Sequence, residues 1–195
     1  MSASATPVTR IDPAEIMPTL LAAFADDPVI RWLYPDAETY QRAFAEVVRL
    51  SAGAAFDAGT VDVSEGGAAV AIWDPPETGR DPEQASAAWA AHFEAHVDPA
   101  RLGDVFAWGE QVGHFHPTEP RWHLAMIGVT PEHQGRGQGA ALLRAGLERC
   151  DRDGLPAYLE SGSPRNRTLY ERHGFEVTGE IRAADSPPAW PMLRP

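Results

Sequence analysis

The sequence has almost no cysteine and no long apolar run. Cys150 is the one cysteine among 195 residues, which excludes an internal disulfide framework and a zinc site built from several cysteines. No stretch approaches the roughly 20 consecutive apolar residues that a bilayer-spanning helix needs. Residues 1–6, MSASAT, lack the basic and apolar regions of a signal peptide. These absences predict a soluble, cytoplasmic protein with no membrane partner.

Basic residues are also scarce. The chain has 16 Lys and Arg against 28 Asp and Glu, which gives a formal net charge of −12. A surface of that charge repels phosphate backbones, so nucleic acid is not an expected partner. An anionic ligand would need a local trap made of backbone amides or a helix end. The hydrophobic share of 44% is enough for one globular domain with a sizeable core.

Apolar periodicity and turn residues predict an α/β chain. In the first two thirds, they indicate a strand over 6–11, helices over 39–57 and 82–97, and a hairpin of 61–63 with 68–73. In the last third, they indicate strands over 122–129, 157–160 and 175–181, helices over 140–150 and 165–173, and a final edge strand over 190–193. The segment 103–120 receives no assignment.

The most informative segment is the glycine-rich loop at residues 134–140, between a predicted strand and a predicted helix. Its three alternating glycines permit positive φ angles, and N–H groups at a helix start attract anions. The loop lacks the Gly-Lys-Ser/Thr of a Walker loop. It does satisfy G-x-G-x-x-A, but residues 130–133 lengthen the turn and too little chain follows for a dinucleotide-binding fold. A purely structural glycine turn is the remaining alternative.

The loop also carries a family resemblance. Gln134-x-x-Gly137-x-Gly139 resembles the Q/R-x-x-G-x-G/A motif of the GCN5-related N-acetyltransferases. The order of strand, loop, helix and strand, followed by Tyr-Glu-Arg-His-Gly-Phe at 170–175, resembles the second half of that family's fold. Similarity to the puromycin-acetylating members is carried by residues 133–137, 159–161 and 164–166.

The resemblance implies a fold and an activity. The fold would be a mixed, mostly antiparallel sheet of about seven strands with helices on both faces, in one domain over 1–195. Residues 1–120 would form the acceptor-binding half and residues 121–195 the acetyl-CoA-binding half, with two neighbouring central strands splayed apart. The activity would be acetyl transfer from acetyl-CoA to a primary amine of a small molecule, in a ternary complex without a covalent enzyme intermediate. No metal is expected, and a homodimer is left open.

The resemblance also implies which residues hold acetyl-CoA. Amides of the loop would bind the pyrophosphate, and backbone groups of the preceding strand would pair with the pantetheine arm. Tyr170 would be the acid that protonates the departing thiolate. Asn166 lies one helical turn before it, where a contact with the cosubstrate and a helix-start role are both open. The implied set for the cosubstrate is Ile127, Gly128, Val129, Gln134, Gly135, Arg136, Gly137, Gln138, Gly139, Ala140, Asn166 and Tyr170.

The acceptor of the amine proton is left open between His123 and Glu160. His123 begins the strand before the loop, and period-two alternation places it on one face with Ala125 and Ile127. Glu160 ends the next strand and could reach the same opening, either as the base or as an anchor for the substrate ammonium. A water chain is the third possibility, because an α-amino group needs little help to lose its proton.

Two histidine pairs support a rival class of function. His92 and His96 are spaced i, i+4 on a predicted helix, and His114 and His116 would share one face of a strand. Together they could hold a divalent metal in a metal-dependent hydrolase, although exposed helix histidines explain them more simply. A non-catalytic acyl-CoA-binding sensor is the third class considered.

Four aromatic residues of the first half are candidates for lining the acceptor site: Phe24, Trp32, Tyr34 and Trp73. Each could instead be ordinary core. Cys150 lies on the helix after the loop and is expected to pack in the core, with no role as a nucleophile.

Overall fold

The computed structural model describes residues 11–79 and 81–195 in full, together with the backbone of the strand at residues 5–7. The strand predicted over 6–11 therefore lies only partly within the described residues, because residues 8–10 are outside them. The predicted helices over 39–57 and 82–97 and the predicted hairpin are present within a residue or two of the expected bounds.

One seven-stranded sheet organises the chain. Its strands are β1 (Ala5–Pro7), β2 (Val61–Ser64), β3 (Ala69–Asp74), β4 (Trp122–Val129), β5 (Ala157–Ser161), β6 (Glu176–Val177) and β7 (Trp190–Arg194). The helices are α1 (Pro13–Phe24), α2 (Pro28–Leu33), α3 (Ala37–Ala58), α4 (Pro82–His96), α5 (Leu102–Phe115), α6 (Gln138–Asp153) and α7 (Pro164–Glu171). The strand order is β1-β2-β3-β4-β5-β7-β6, and every neighbouring pair is antiparallel except β4 with β5. This mixed, mostly antiparallel sheet confirms the expected fold class.

Helices cover both faces of the sheet, so the interior strand β3 is buried along its whole length. Side chains of β3 alternate between two hydrophobic cores. Val70 and Ile72 belong to the core that contains residues of α1, α3 and α4, whereas Ala71 and Trp73 belong to the core that contains residues of α6. Within the described part of the chain, no helix has the length and hydrophobicity needed to traverse a bilayer.

The sheet opens in its middle, between β4 and β5. The two strands pair in parallel only through Trp122↔Ala157 and His123↔Tyr158. β4 continues well beyond that point and stays paired with β3, with a register shift that makes Ala125 an extra residue. The second half of β4 therefore separates from β5, as the expected splay of two central strands requires.

Three element predictions need correction. The unassigned segment 103–120 is mostly helix α5, whose apolar pattern is interrupted by three glycines that lower helix propensity. The strand predicted over 175–181 shrinks to β6, followed by an isolated bridge between Ile181 and Ala189. The last strand is not an edge strand, because β7 lies between β5 and β6, which explains why Trp190 and Met192 are buried.

The close packing of α6 on the sheet predicts a stability effect. A Cβ at Gly146 would overlap the indole of Trp73, which is fully buried. We expect Gly146→Ala to lower the free energy of unfolding by roughly 1–3 kcal/mol, the usual cost of overpacking a core, measured by urea denaturation.

Gly109→Ala on α5 is the matched control, because nothing lies within 4 Å of a Cβ at that position. It should raise the free energy of unfolding by about 0.5–1 kcal/mol through helix propensity. Equal effects of the two substitutions would contradict the packing account.

Candidate active site

A cavity of about 1150 Å³ lies where β4 separates from β5. Residues of α3, α4 and α5 and of the junction between α1 and α2 line it. Residues of β4, β5 and α7 complete the lining. Five of the site residues expected from the sequence line it: His123, Ile127, Glu160, Asn166 and Tyr170. The structure therefore brings together the three residues expected to move protons.

Tyr170 is held on α7 with its side chain buried. Its ring packs edge-on against Phe175, with 6.0 Å between the ring centroids. Burial, and after it the nearby Asp27, raises the pKa of the Tyr170 hydroxyl above its ordinary value. The hydroxyl therefore stays protonated at neutral pH and can donate a proton.

The start of α7 is capped by Ser163, whose Oγ accepts a hydrogen bond from the backbone N–H of Asn166 at 3.2 Å. Ser163 is therefore the helix cap. Contact with the cosubstrate is the role that stays open for Asn166. Asn166 itself is exposed and lines the cavity one turn before Tyr170.

His123 and Glu160 form a hydrogen-bonded pair, with 3.1 Å between Nε2 and Oε2. The parallel register explains the contact, because His123 lies opposite Tyr158 and Glu160 is two residues further along on the same face. Burial raises the pKa of Glu160, but the nearby His123 and His116 outweigh that effect and hold it below its ordinary value. Glu160 is therefore a carboxylate at neutral pH.

His116 joins this pair from the end of α5. Its ring centroid is 5.1 Å from that of His123 and 5.0 Å from that of Tyr158, and the Arg121 guanidinium donates to its Nδ1. Burial, followed by the nearby His123, lowers the pKa of His116 to about 4. His116 is thus a neutral imidazole over the physiological pH range.

His116 could be named from the sequence, but with the wrong partner. The signal was the His114/His116 spacing, interpreted as two residues on one strand face. Because α5 extends to Phe115, His114 stays exposed on the helix while His116 follows the helix end and lines the cavity.

The four histidines of the rival metal hypothesis do not assemble. Among the described residues, His92 and His96 group with Glu46, whereas His116 groups with His123 and Glu160. The simpler explanation as exposed helix histidines is wrong for His92, because its side chain is fully buried. Its Nε2 lies 2.7 Å from the Tyr34 hydroxyl and its Nδ1 lies 3.1 Å from Oε2 of Glu46.

The glycine-rich loop lies outside the cavity lining, at the end of β4. Gly135 and Gly137 have φ angles of 73° and 81°, which glycine adopts without strain. Gly137 is the N-cap of α6, and no side chain caps that helix. The amides of Gln138, Gly139 and Ala140 consequently begin α6 without an acceptor inside the helix, and they can bind an anion.

The remaining expected cosubstrate residues lie in this loop or in the strand before it. Gln134 donates from Nε2 to the carbonyl oxygen of Val129 at 3.2 Å, and the Arg136 side chain is exposed. A Cβ at Gly128 would lie 2.7 Å from the Cβ of Ala23, so the glycine lets α1 approach β4 closely.

The aromatic lining was predicted incorrectly at three of four positions. Phe24 lines the cavity, whereas Trp32, Tyr34 and Trp73 do not. Trp73 and Tyr34 are fully buried in the two cores, and the Trp32 indole donates to Asp185. Four other aromatic residues, here called the aromatic wall, line the cavity instead: Trp89 and Phe93 of α4 with Phe106 and Trp108 of α5.

Cys150 is buried, as expected, in the hydrophobic core that contains residues of α6. Burial raises the pKa of its thiol to about 12, so it is not a nucleophile at neutral pH.

Two curated relatives match parts of the chain. An uncharacterised N-acetyltransferase of Schizosaccharomyces pombe is 43% identical over 54 residues, which is 28% of this chain and 22% of that protein. A mycothiol acetyltransferase of Corynebacterium aurimucosum is 31% identical over 103 residues, which is 51% of this chain and 33% of that protein. The matches thus span a third or less of the length of these relatives.

Solved structures match the whole chain. One described as histone acetyltransferase HPA2 and related acetyltransferase, from Corynebacterium glutamicum, has a TM-score of 0.68 and 26% identity, and the match covers 100% of this chain and 97% of that one. An agmatine N-acetyltransferase mutant has a TM-score of 0.66, with 99% of both chains covered, and its 15% identity shows the fold alone. The family model described as acetyltransferase (GNAT) family matches residues 70–175, more than half of the chain. The chain therefore belongs to the GNAT family of acetyltransferases, whose acetyl donor is acetyl-CoA.

Proposed function

We propose that this chain transfers the acetyl group of acetyl-CoA directly to a primary amine of a small molecule, with puromycin as the first acceptor to test. One observation carries the proposal. Tyr170 and the His123–Glu160 pair line the same cavity, at the place where β4 separates from β5. An acid for the leaving group and a base for the nucleophile thus share one site.

In this proposal, residues 121–195 bind acetyl-CoA. The uncapped amides at the start of α6 bind the pyrophosphate, aided by the exposed Arg136 side chain. Ile127, Gly128 and Val129 lie on the part of β4 that has no β5 partner, so those of their backbone groups that do not bond to β3 are available to the pantetheine arm. Asn166 contacts the cosubstrate near Tyr170. Residues 1–120 bind the acceptor, since the aromatic wall and Phe24 belong to that half.

The transfer needs no covalent bond to the protein. The amine lone pair attacks the thioester carbonyl carbon, and negative charge develops on the carbonyl oxygen. The C–S bond then breaks, and Tyr170 donates its proton to the departing thiolate, whose ordinary pKa is about 8.5. The products are an amide and free coenzyme A.

The bound ammonium first passes one proton to His123, which frees the lone pair for the attack, and the second proton that the nitrogen loses as the C–S bond breaks restores the Tyr170 hydroxyl. When Nε2 of His123 carries the ring hydrogen, it donates to Glu160 and leaves a lone pair on Nδ1. Glu160 orients the ring and stabilises the imidazolium that forms. Carboxylates have this role beside histidine general bases in other enzymes. His116 is too weak a base to compete, since its pKa is about 4.

Activity measurements on variants test these roles. Free-thiol release from acetyl-CoA should occur with puromycin or a member of a small amine panel. Tyr170→Phe and His123→Ala should each lower kcat about 100-fold, the usual contribution of a general acid or base.

Tyr40→Phe is the matched control for the tyrosine variant. Tyr40 is also buried, but its hydroxyl donates to the carbonyl oxygen of Leu21 and the residue does not line the cavity. Its kcat should match the wild type. Equal kcat in Tyr170→Phe and wild type would remove Tyr170 from the chemistry, and tight acetyl-CoA binding without turnover on any amine would favour a sensor.

His116 predicts how stability depends on pH. The unfolded chain protonates this histidine near pH 6.5, whereas the folded chain does so only near pH 4. The unfolded state therefore binds the additional proton between these values, and stability falls as the pH is lowered. His116 should contribute a loss of up to about 2 kcal/mol between pH 7.5 and 5.

Urea denaturation at the two pH values measures this loss. His116→Gln should remove that share of it, while the glutamine can still accept from Arg121. His114→Gln, at the exposed position two residues earlier, is the matched control. An unchanged pH dependence in His116→Gln would contradict the assignment.

A further inference from the structure

We infer that the acceptor is an amine attached to a bulky aromatic group, which packs on the aromatic wall while Asp27 pairs with the positive charge. This inference rests on the proposed function, because it concerns the acceptor of the same reaction. The inferred acceptor is thus an arylalkyl-type amine, as opposed to a polyamine or an amino sugar.

Three of the four rings of the aromatic wall lie next to one another. Ring centroids of Trp89 and Phe93 are 5.4 Å apart, and those of Phe93 and Phe106 are 6.4 Å apart. Trp108 also lines the cavity, and its ring centroid lies 6.3 Å from that of Trp32. Such a surface offers a large apolar contact area and preferred edge or offset ring geometries to an aromatic ligand.

Charged groups around the cavity favour a cation. Among the described lining residues, the carboxylates are Asp27, Asp74, Glu94, Glu110 and Glu160. Among the same lining residues, Arg121 is the one Arg or Lys side chain, against these five carboxylates. An excess of negative charge in a partly enclosed space raises the local concentration of cations, so a protonated amine is a better ligand than a neutral or anionic molecule.

Asp27 is the carboxylate best placed to bind that cation. Its Oδ1 accepts from the N–H groups of Val29 and Ile30 at 3.0 and 3.1 Å, which fixes the side chain. Its Oδ2 has no hydrogen bond to any described residue. Gly162 lies beside this oxygen, and a Cβ on that glycine would come within 3.1 Å of it. Asp27 lines the cavity close enough to Tyr170 to affect its hydroxyl. An ammonium there would give Oδ2 a charge-assisted hydrogen bond.

The other amine classes fit this arrangement less well. The hydroxyl groups of an amino sugar would lose water against the aromatic wall without gaining hydrogen bonds, which costs binding free energy. A polyamine would place a second ammonium on the same apolar surface. An aromatic monoamine buries its ring and pairs its single charge.

Three primary amines, one from each class, test the inference: 2-phenylethylamine, agmatine and glucosamine. We expect kcat/KM for phenylethylamine to exceed the other two about tenfold or more, the effect of burying one ring. Calorimetric binding of the same amines in the presence of coenzyme A gives a readout that does not need turnover, and it should show the same order.

Asp27→Asn tests the charge without removing the helix cap, because asparagine caps as well as aspartate. It should raise KM for phenylethylamine about tenfold, the usual scale of a charge-assisted hydrogen bond, and leave acetyl-CoA binding unchanged. Asp36→Asn is the matched control, since Asp36 caps α3 through the same kind of bond and does not line the cavity.

Phe106→Leu tests the aromatic wall. It should reduce the preference for phenylethylamine about three- to tenfold, because the ring contact is lost while the volume is largely kept. Phe56→Leu is the matched control, at a partly buried phenylalanine of the same core that does not line the cavity.

Three results would overturn the inference while leaving the acetyltransferase proposal intact. They are a preference for agmatine or glucosamine, equal KM values in Asp27→Asn and Asp36→Asn, and an unchanged preference in Phe106→Leu. Failure of the proposed function looks different, with no turnover of any amine. In that case the calorimetric order of the three amines still decides whether the cavity selects an aromatic cation.

Discussion

The early separation of β4 from β5 is the constraint on which the rest of the site depends. Only two residue pairs join these strands, so the remaining backbone groups on that edge of β4 have no strand partner. Such groups are costly to leave unpaired inside a protein, and a bound chain-like ligand with its own amides can satisfy them. The glycine-rich loop follows β4, and α7 follows β5. One divergence therefore opens the cavity that Tyr170 lines, beside the strand that leads into the glycine-rich loop.

The glycine-rich loop and the cavity attract ligands of opposite charge, which suits the two substrates of the proposed function. The chain carries a net charge of −12, yet the loop at 134–140 attracts anions through backbone amides and needs no excess of basic side chains. The carboxylates that line the cavity repel phosphate but attract an ammonium. Within the cavity, His123 and Glu160 stabilise each other, and the half-buried His116 beside them stays neutral.

Local signals in the sequence were sufficient for the stretch from β4 to β5 and less so for α5 and for the strands after α7. Strand β4, the loop, α6 and β5 have clear periodicity, so His123, Glu160 and Tyr170 could be named in advance. Their hydrogen bonding could not, because it depends on the parallel register of β4 with β5. His116 was misinterpreted because the glycines of α5 obscure a helix. The acceptor-lining aromatics were mostly wrong because tertiary contacts, such as that of Trp73 with Gly146, decide which rings face the core.

A crystal structure of this protein with bound coenzyme A would show whether the opening between β4 and β5 binds the cosubstrate. The proposed function predicts the pantetheine arm between β4 and β5, hydrogen-bonded to backbone groups of Ile127–Val129, with the pyrophosphate on the amides of residues 135–140. The sulfur atom should lie within hydrogen-bonding distance of the Tyr170 hydroxyl. Coenzyme A bound at any other surface, or a sulfur atom remote from Tyr170, would contradict it.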